Sequence, residues 1–175
     1  KREKLGGLNE YGLAAYKMVD EWAAREIEML LSIGGIEFQL GVELGSPTLT
    51  VEKLCEQYDA VFIGVGLGLT NHLAIDGAES DGVVDAVRFI EEIRQAKDLE
   101  SLKVGRKVVV IGGGNTAIDI AVQAKMLGAE EVSLVYRRGA KDMSATAYEQ
   151  ELALKHGVRI QTGLTPLRVC AENGR

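Results

Sequence analysis

Apolar residues follow two different periods along this chain. Val83, Val87, Ile90 and Ile93 recur every three or four residues between 83 and 96, the spacing of an amphipathic helix. Val19, Ala23, Ile27 and Leu30 do the same, with Asp20 as a candidate N-cap and Gly34-Gly35 as the stop. Ile36, Phe38 and Leu40 alternate instead, which predicts a strand, and Thr50 is placed to cap a short helix containing Leu54. Residues 58–65 form an apolar run that ends among Gly64, Gly66 and Gly68, a second strand marked by glycine. Lys107–Ile111 is a continuous β-branched run, the pattern of a parallel strand covered on both faces. A helix follows it at once, running through Leu127 to a stop at Gly128, and residues 132–136 form the next strand. A helix over 146–156, ended by Gly157, precedes strands near 159–162 and 167–171. Strand and helix alternating in this order predict an α/β fold with a Rossmann-like, doubly wound parallel sheet.

The junction between the 107–111 strand and its helix carries the chemistry. Gly112, Gly114 and Ala117 occupy the three fixed positions of the dinucleotide fingerprint G-x-G-x-x-G/A. Gly112 permits a tight turn, Gly114 lets the backbone approach a pyrophosphate, and Ala117 keeps helix and strand close. Gly113 lies between them, and Asn115 or Thr116 is placed to cap the helix, whose N–H groups and positive dipole end face the phosphates. A lone fingerprint is a weak signal, but here strand, turn, helix and second strand are all present. Arg137 and Arg138 end that second strand, where a carboxylate would hold the ribose hydroxyls of NAD and where arginine suits the 2′-phosphate of NADP. The plainer reading of the arginines is a solvated pair of charges.

Composition narrows the classes. The chain has 175 residues, 26 acidic against 20 basic, for a net charge of −6, which argues against nucleic acid as a partner. No apolar run has the length of a membrane span. Cys55 and Cys170 are far apart with no C-x-x-C, so redox, zinc and iron–sulfur sites are not built from this chain alone, and a reducing cytoplasm is the expected setting. His72 and His156 are isolated, and no Ser-His-Asp or Cys-His spacing is present. Asp119 reads as an acid favoured by the positive end of its helix, and Tyr148 and Glu149 read as a solvated helix start. In hydride transfer the cofactors carry the chemistry, so the lack of a catalytic acid or base is no objection.

Four stretches, GGLNEYGLAAYK, YDAVFIGVGLG, VVVIGGGNTAIDIA and VYRRG followed by Met143, are together far more specific than the fingerprint. With them the chain resembles the flavoprotein module of the small subunit of bacterial glutamate synthase, and equally the NAD(P)H-accepting part of dihydropyrimidine dehydrogenase. The resemblance implies an FAD-binding domain interrupted by an NAD(P)H-binding domain, with hydride passing from nicotinamide to flavin and electrons leaving through iron–sulfur clusters in another domain or a large catalytic subunit. It places Gly112, Gly113, Gly114, Asn115, Thr116, Arg137 and Arg138 on the nicotinamide dinucleotide, either NADP(H) or NAD(H). It places Gly6, Gly7, Gly64 and Gly66 beside FAD, although Gly64-Val65-Gly66 departs from the family's commoner Ala-Thr-Gly and Ser144 stands where proline is usual. It divides the chain into residues 1–104, part of an FAD-binding domain with connector helices, and 105–175, a shortened NAD(P)H-binding domain. The polar start at Lys1 and the hairpin signal Asn173-Gly174 with no strand after it read as cut ends, so the chain alone is expected to be inactive and to self-associate through uncovered apolar surface. The final electron acceptor stays open between the two relatives.

Two rivals come from other classes. A short-chain dehydrogenase needs Tyr-x-x-x-Lys, and no tyrosine of this chain has lysine four residues on. A non-catalytic dinucleotide sensor would use the same fingerprint without moving electrons.

Overall fold

The computed structural model describes residues 2–67 and 70–171. Its sheet consists of β1 (Lys107–Ile111), β2 (Glu131–Tyr136) and β3 (Arg159–Thr162), parallel and in the order β1-β2-β3. Lys107 is in register with Glu131 and Ile111 with Val135, while Ser133 faces Arg159 and Tyr136 faces Thr162. Helix α5 (Asn115–Met126) is the first crossover and α6 (Ala147–Lys155) the second. The expected α/β class with a parallel sheet is therefore present, and both crossovers pack on the same face, as the common hand of such connections requires.

Alternation along the strands sends Val110, Val132 and Leu134 into this packed layer, where they meet Ile118, Ala121 and Val122 of α5 and Ala153 of α6. Residues 117–124 of α5 are all buried, so this helix is covered on every side. Ile90 and Ile93 of α4 (Ala86–Gln95) join the same core, and α4 begins at Asp85, whose carboxylate accepts from the Arg88 N–H. The opposite face of the sheet is not covered among the described residues: Val109 is 64% exposed and Ile111 44%. The unbroken Val-Val-Val-Ile run predicted burial on both faces, and only one face has a helical layer here.

The remaining helices are α1 (Gly7–Tyr11), α2 (Trp22–Ser32) and α3 (Val51–Gln57). Thr50 caps α3 as expected, its hydroxyl accepting from Lys53 N–H. Asp20 does not cap α2: Asp20 and Glu21 both take left-handed backbone, the helix starts at Trp22, and Val19 and Trp22 are exposed. Residues 36–40 and 58–65 are not strands, since an extended run becomes one only when a neighbour completes its hydrogen-bond ladder, and none does among the described residues. At 167–171 only a bridge forms, Val169 N–H donating to the Asp76 carbonyl at 2.8 Å. Gly68 and the Asn173-Gly174 hairpin lie outside the described residues.

The two faces of the sheet give a stability contrast. Leu134, fully buried, should cost about 2–5 kcal/mol when changed to Ala, and exposed Val109 within roughly 0.5 kcal/mol. Urea unfolding of both variants measures this, and similar losses at the two sites would mean that the Val109 face is covered in solution.

Candidate dinucleotide site and the buried network behind it

The C-terminal edge of the parallel sheet gathers the fingerprint. Gly112 follows β1 with φ +152°, its N–H donating to the Val135 carbonyl, and a Cβ on it would stand 3.1 Å from that of Ala117. Helix and strand therefore touch where the fingerprint requires small residues. A Cβ on Gly113 would meet the Tyr136 ring at 2.5 Å, so this glycine, too, is set by packing. Gly114 is the N-cap of α5 and offers no side chain to the free amides; its carbonyl accepts from Ala117 and Ile118 N–H.

Asn115 does not cap α5, contrary to expectation, and neither does Thr116. Both lie inside the first turn, and the Asn115 Oδ1 accepts instead from Thr146 N–H at 3.1 Å, across to the loop before α6. Ala145 N–H donates to the Gly113 carbonyl at 2.9 Å. These two bonds strap the loop onto the glycine turn and leave the N–H groups of Gly113, Gly114, Asn115 and Thr116 without a protein partner among the described residues. Four free donors at the positive end of a twelve-residue helix fit a pyrophosphate.

Arg137 and Arg138 leave the end of β2, one strand over from the turn, and both are exposed. Arg138 stacks its guanidinium 5.5 Å from the Tyr136 ring centre, while the Tyr136 hydroxyl donates to the Asp142 carbonyl and the Gly139 N–H to the Asp142 carboxylate. Neither arginine has a carboxylate partner among the described residues, so both are free for an anion.

Behind the turn lies a cluster that the sequence reading missed. Asp119 lies in the second turn of α5, beyond the positive helix end that was expected to favour it, and is buried: its Oδ1 accepts from the Tyr16 hydroxyl at 2.9 Å and pairs with Lys17 Nζ at 2.5 Å. Lys17 also reaches Glu149 at 2.7 Å, and Glu149 is buried rather than part of a solvated helix start; Tyr148 is exposed. Gln123, one turn beyond Asp119, accepts from Ala15 N–H at 2.9 Å. The signal was present in sequence, because two polar residues four apart interrupt the otherwise apolar run 117–124. What hid it was the distance along the chain to Tyr16 and Lys17. Arg94 of α4 holds the same segment from the other side, donating to the carbonyls of Asn9, Glu10 and Met18.

Gly6 and Gly7 open α1 with φ +112° and +51°, backbone that favours glycine, and begin this same held segment. Gly64 and Gly66 lie in an exposed, non-strand stretch, and no hydrogen bond among the described residues joins them to the glycine turn. His72, His156, Cys55 and Cys170 are exposed, and no group of metal-binding side chains occurs among the described residues. No helix among them is long and apolar enough to cross a membrane.

A parallel α/β layer with a glycine turn, an uncapped helix and paired arginines at its carboxyl edge defines a dinucleotide-binding protein. Residues 10–174 match the family model described as pyridine nucleotide-disulphide oxidoreductase, and the chain belongs to that family, whose members bind NAD(P)H and FAD. It is 33% identical to the putative oxidoreductase AegA of Escherichia coli over 95% of this chain and 26% of that protein. It is 32% identical to the NADPH-Fe(3+) oxidoreductase subunit beta of Geobacter sulfurreducens, over 95% of this chain and 25% of that one. The glutamate synthase [NADPH] small chain of E. coli is 31% identical over 97% of this chain and 37% of its own length. The chain thus spans between a quarter and two fifths of these relatives. The Mycobacterium tuberculosis oxidoreductase FprA, solved in complex with NADPH, shares the fold with a TM-score of 0.73 at 20% identity, over 95% of this chain and 52% of that one.

The buried network makes stability fall at alkaline pH. Burial pushes the Lys17 ammonium down, but its bonds to Asp119 and Glu149 outweigh burial and hold its pKa above the ordinary lysine value. Burial first, and the Asp119 carboxylate next, push the Tyr16 hydroxyl far up. Both groups bind their protons more tightly folded than unfolded. Their contribution is complete below about pH 10, the unfolded range, and is lost as pH rises toward the folded values. Denaturant midpoints should therefore drop above about pH 10, and a Tyr16→Phe, Lys17→Met variant should show a flatter profile; equal slopes would sink this account.

Proposed function

We propose that this chain is the NAD(P)H-receiving part of a flavoprotein oxidoreductase, with NADP(H) preferred to NAD(H), FAD as the immediate acceptor and iron–sulfur clusters in another domain or subunit beyond it. The observation that carries the reading is the uncapped N-terminus of α5 together with two arginines on the adjacent strand end that have no carboxylate partner among the described residues. Free amides at Gly113–Thr116 suit the pyrophosphate, and the arginines suit a 2′-phosphate. Two of the relatives above are named for NADPH. Nicotinamide supplies a hydride and flavin accepts it. The residues of this chain bind and orient. The Tyr16–Lys17–Asp119–Glu149 network fixes the 9–19 segment against α5, which keeps Gly6 and Gly7 in a set relation to the dinucleotide helix. We assign residues 1–104 to the flavin side and 105–175 to the dinucleotide side, although the core itself runs across that boundary through α4. Gly64 and Gly66 belong to the flavin side in this reading. Glutamate synthesis and pyrimidine reduction both remain compatible acceptor systems, and being an oxidoreductase rather than a sensor agrees with the relatives' names.

Two substitutions test the site. Changing Arg137 and Arg138 together to Ala should raise the NADPH dissociation constant by about tenfold or more, since charge-assisted bonds are each worth roughly 1.5–3 kcal/mol, and leave NADH within about twofold. Equal losses for the two nucleotides would mean that the arginines do not read the phosphate. Gly114→Val should abolish binding of both nucleotides with an unchanged far-ultraviolet dichroism, because its backbone is extended and a branched side chain takes the pyrophosphate's space. A flavin spectrum and NADPH oxidation by the native gene product separate enzyme from sensor.

A further inference from the structure

Where the fingerprint needs the pyrophosphate to approach, the nearest side-chain atom is the hydroxyl of Ser144. A Cβ built on Gly114 would lie 3.3 Å from Ser144 Oγ, with no other heavy atom of a described residue outside 113–115 within 4 Å. This hydroxyl makes no hydrogen bond to another described residue, and Ser144 is exposed. It is nonetheless held in place, because the next two residues are tied to the glycine turn: Ala145 N–H to the Gly113 carbonyl and Thr146 N–H to Asn115 Oδ1. Buried Met143 and Ala145 anchor the loop on either side of Ser144. An O–H without a partner among the described residues therefore stands beside Gly114, one of the four residues, 113–116, whose N–H groups also have none there.

We propose that Ser144 is a further ligand of the dinucleotide, its hydroxyl donating to a pyrophosphate oxygen across Gly114, so that the site is a two-sided clamp rather than a helix terminus alone. The inference rests on the dinucleotide reading above. Side-chain O–H and backbone N–H then converge on one anion from opposite elements, α5 and the loop before α6. A donor to a phosphate oxygen is charge-assisted, which makes it among the stronger hydrogen bonds. Because the pyrophosphate is common to NADPH and NADH, Ser144 contributes affinity without choosing between them, a role separate from that of Arg137 and Arg138.

The test is titration of the purified native gene product, wild type and Ser144→Ala, with NADPH, NADH and 2′-AMP, which carries the 2′-phosphate but no pyrophosphate. Ser144→Ala should weaken NADPH and NADH by a similar factor, roughly tenfold as expected for one charge-assisted bond, and leave 2′-AMP unchanged. Unchanged affinity for the two dinucleotides, or a loss shared by 2′-AMP, would overturn the clamp while leaving the dinucleotide site standing. A wild-type protein that binds neither NADPH nor NADH would overturn the site itself, and the clamp with it.

Discussion

Everything at the functional edge of this molecule depends on how closely β1 and α5 approach each other. The contact between the Gly112 and Ala117 positions brings the helix start directly over the strand end, so the first-turn amides face out along the sheet's carboxyl edge. A larger side chain at either position would push the helix away and turn those amides from the sheet's carboxyl edge. The same closeness allows α5 to be buried along residues 117–124, which makes it the hub of the core.

A helix buried on every side must account for each polar group it carries, because an unpaired donor or acceptor costs free energy in a site without water. Asp119 and Gln123 are such groups. Partners for the Asp119 carboxylate and the Gln123 Oε1 come from the segment before α2, where Tyr16, Lys17 and the Ala15 amide meet them, while the buried Gln123 Nε2 has no partner among the described residues. Lys17 extends the arrangement to Glu149 on α6, so one ammonium joins three parts of the chain. The ammonium's bonds to the two carboxylates outweigh its burial, so Lys17 stays charged and holds the segment in place. Arg94 completes the hold on this segment by satisfying three carbonyls that no strand or helix takes.

The glycine turn leaves the N-terminus of α5 without a side-chain cap. Asn115 has a side chain well suited to capping, and it is used instead to fasten the loop before α6. The amides it would have satisfied stay free. A self-capped helix end would compete with an anion for these donors; an uncapped one offers them without rearrangement.

Much of this was legible in the amino-acid order because it is local. The strand at Lys107–Ile111, the helix stops at Gly128 and Gly157, the Thr50 cap and the glycine turn with its trailing arginines follow from periodicity, backbone freedom and capping chemistry within a few residues. Residues 36–40 and 58–65 have the composition of strands and are not strands, since pairing is decided by a neighbour that sequence alone does not place. Asp119 and Glu149 look like surface acids at helix starts, and only the fold brings Lys17 between them from more than a hundred residues away. Sequence by itself determined the glycine turn and the elements that flank it. Tertiary structure decided which polar side chains are buried against which, because burial and charge pairing depend on distances in space that a pattern along the chain does not encode.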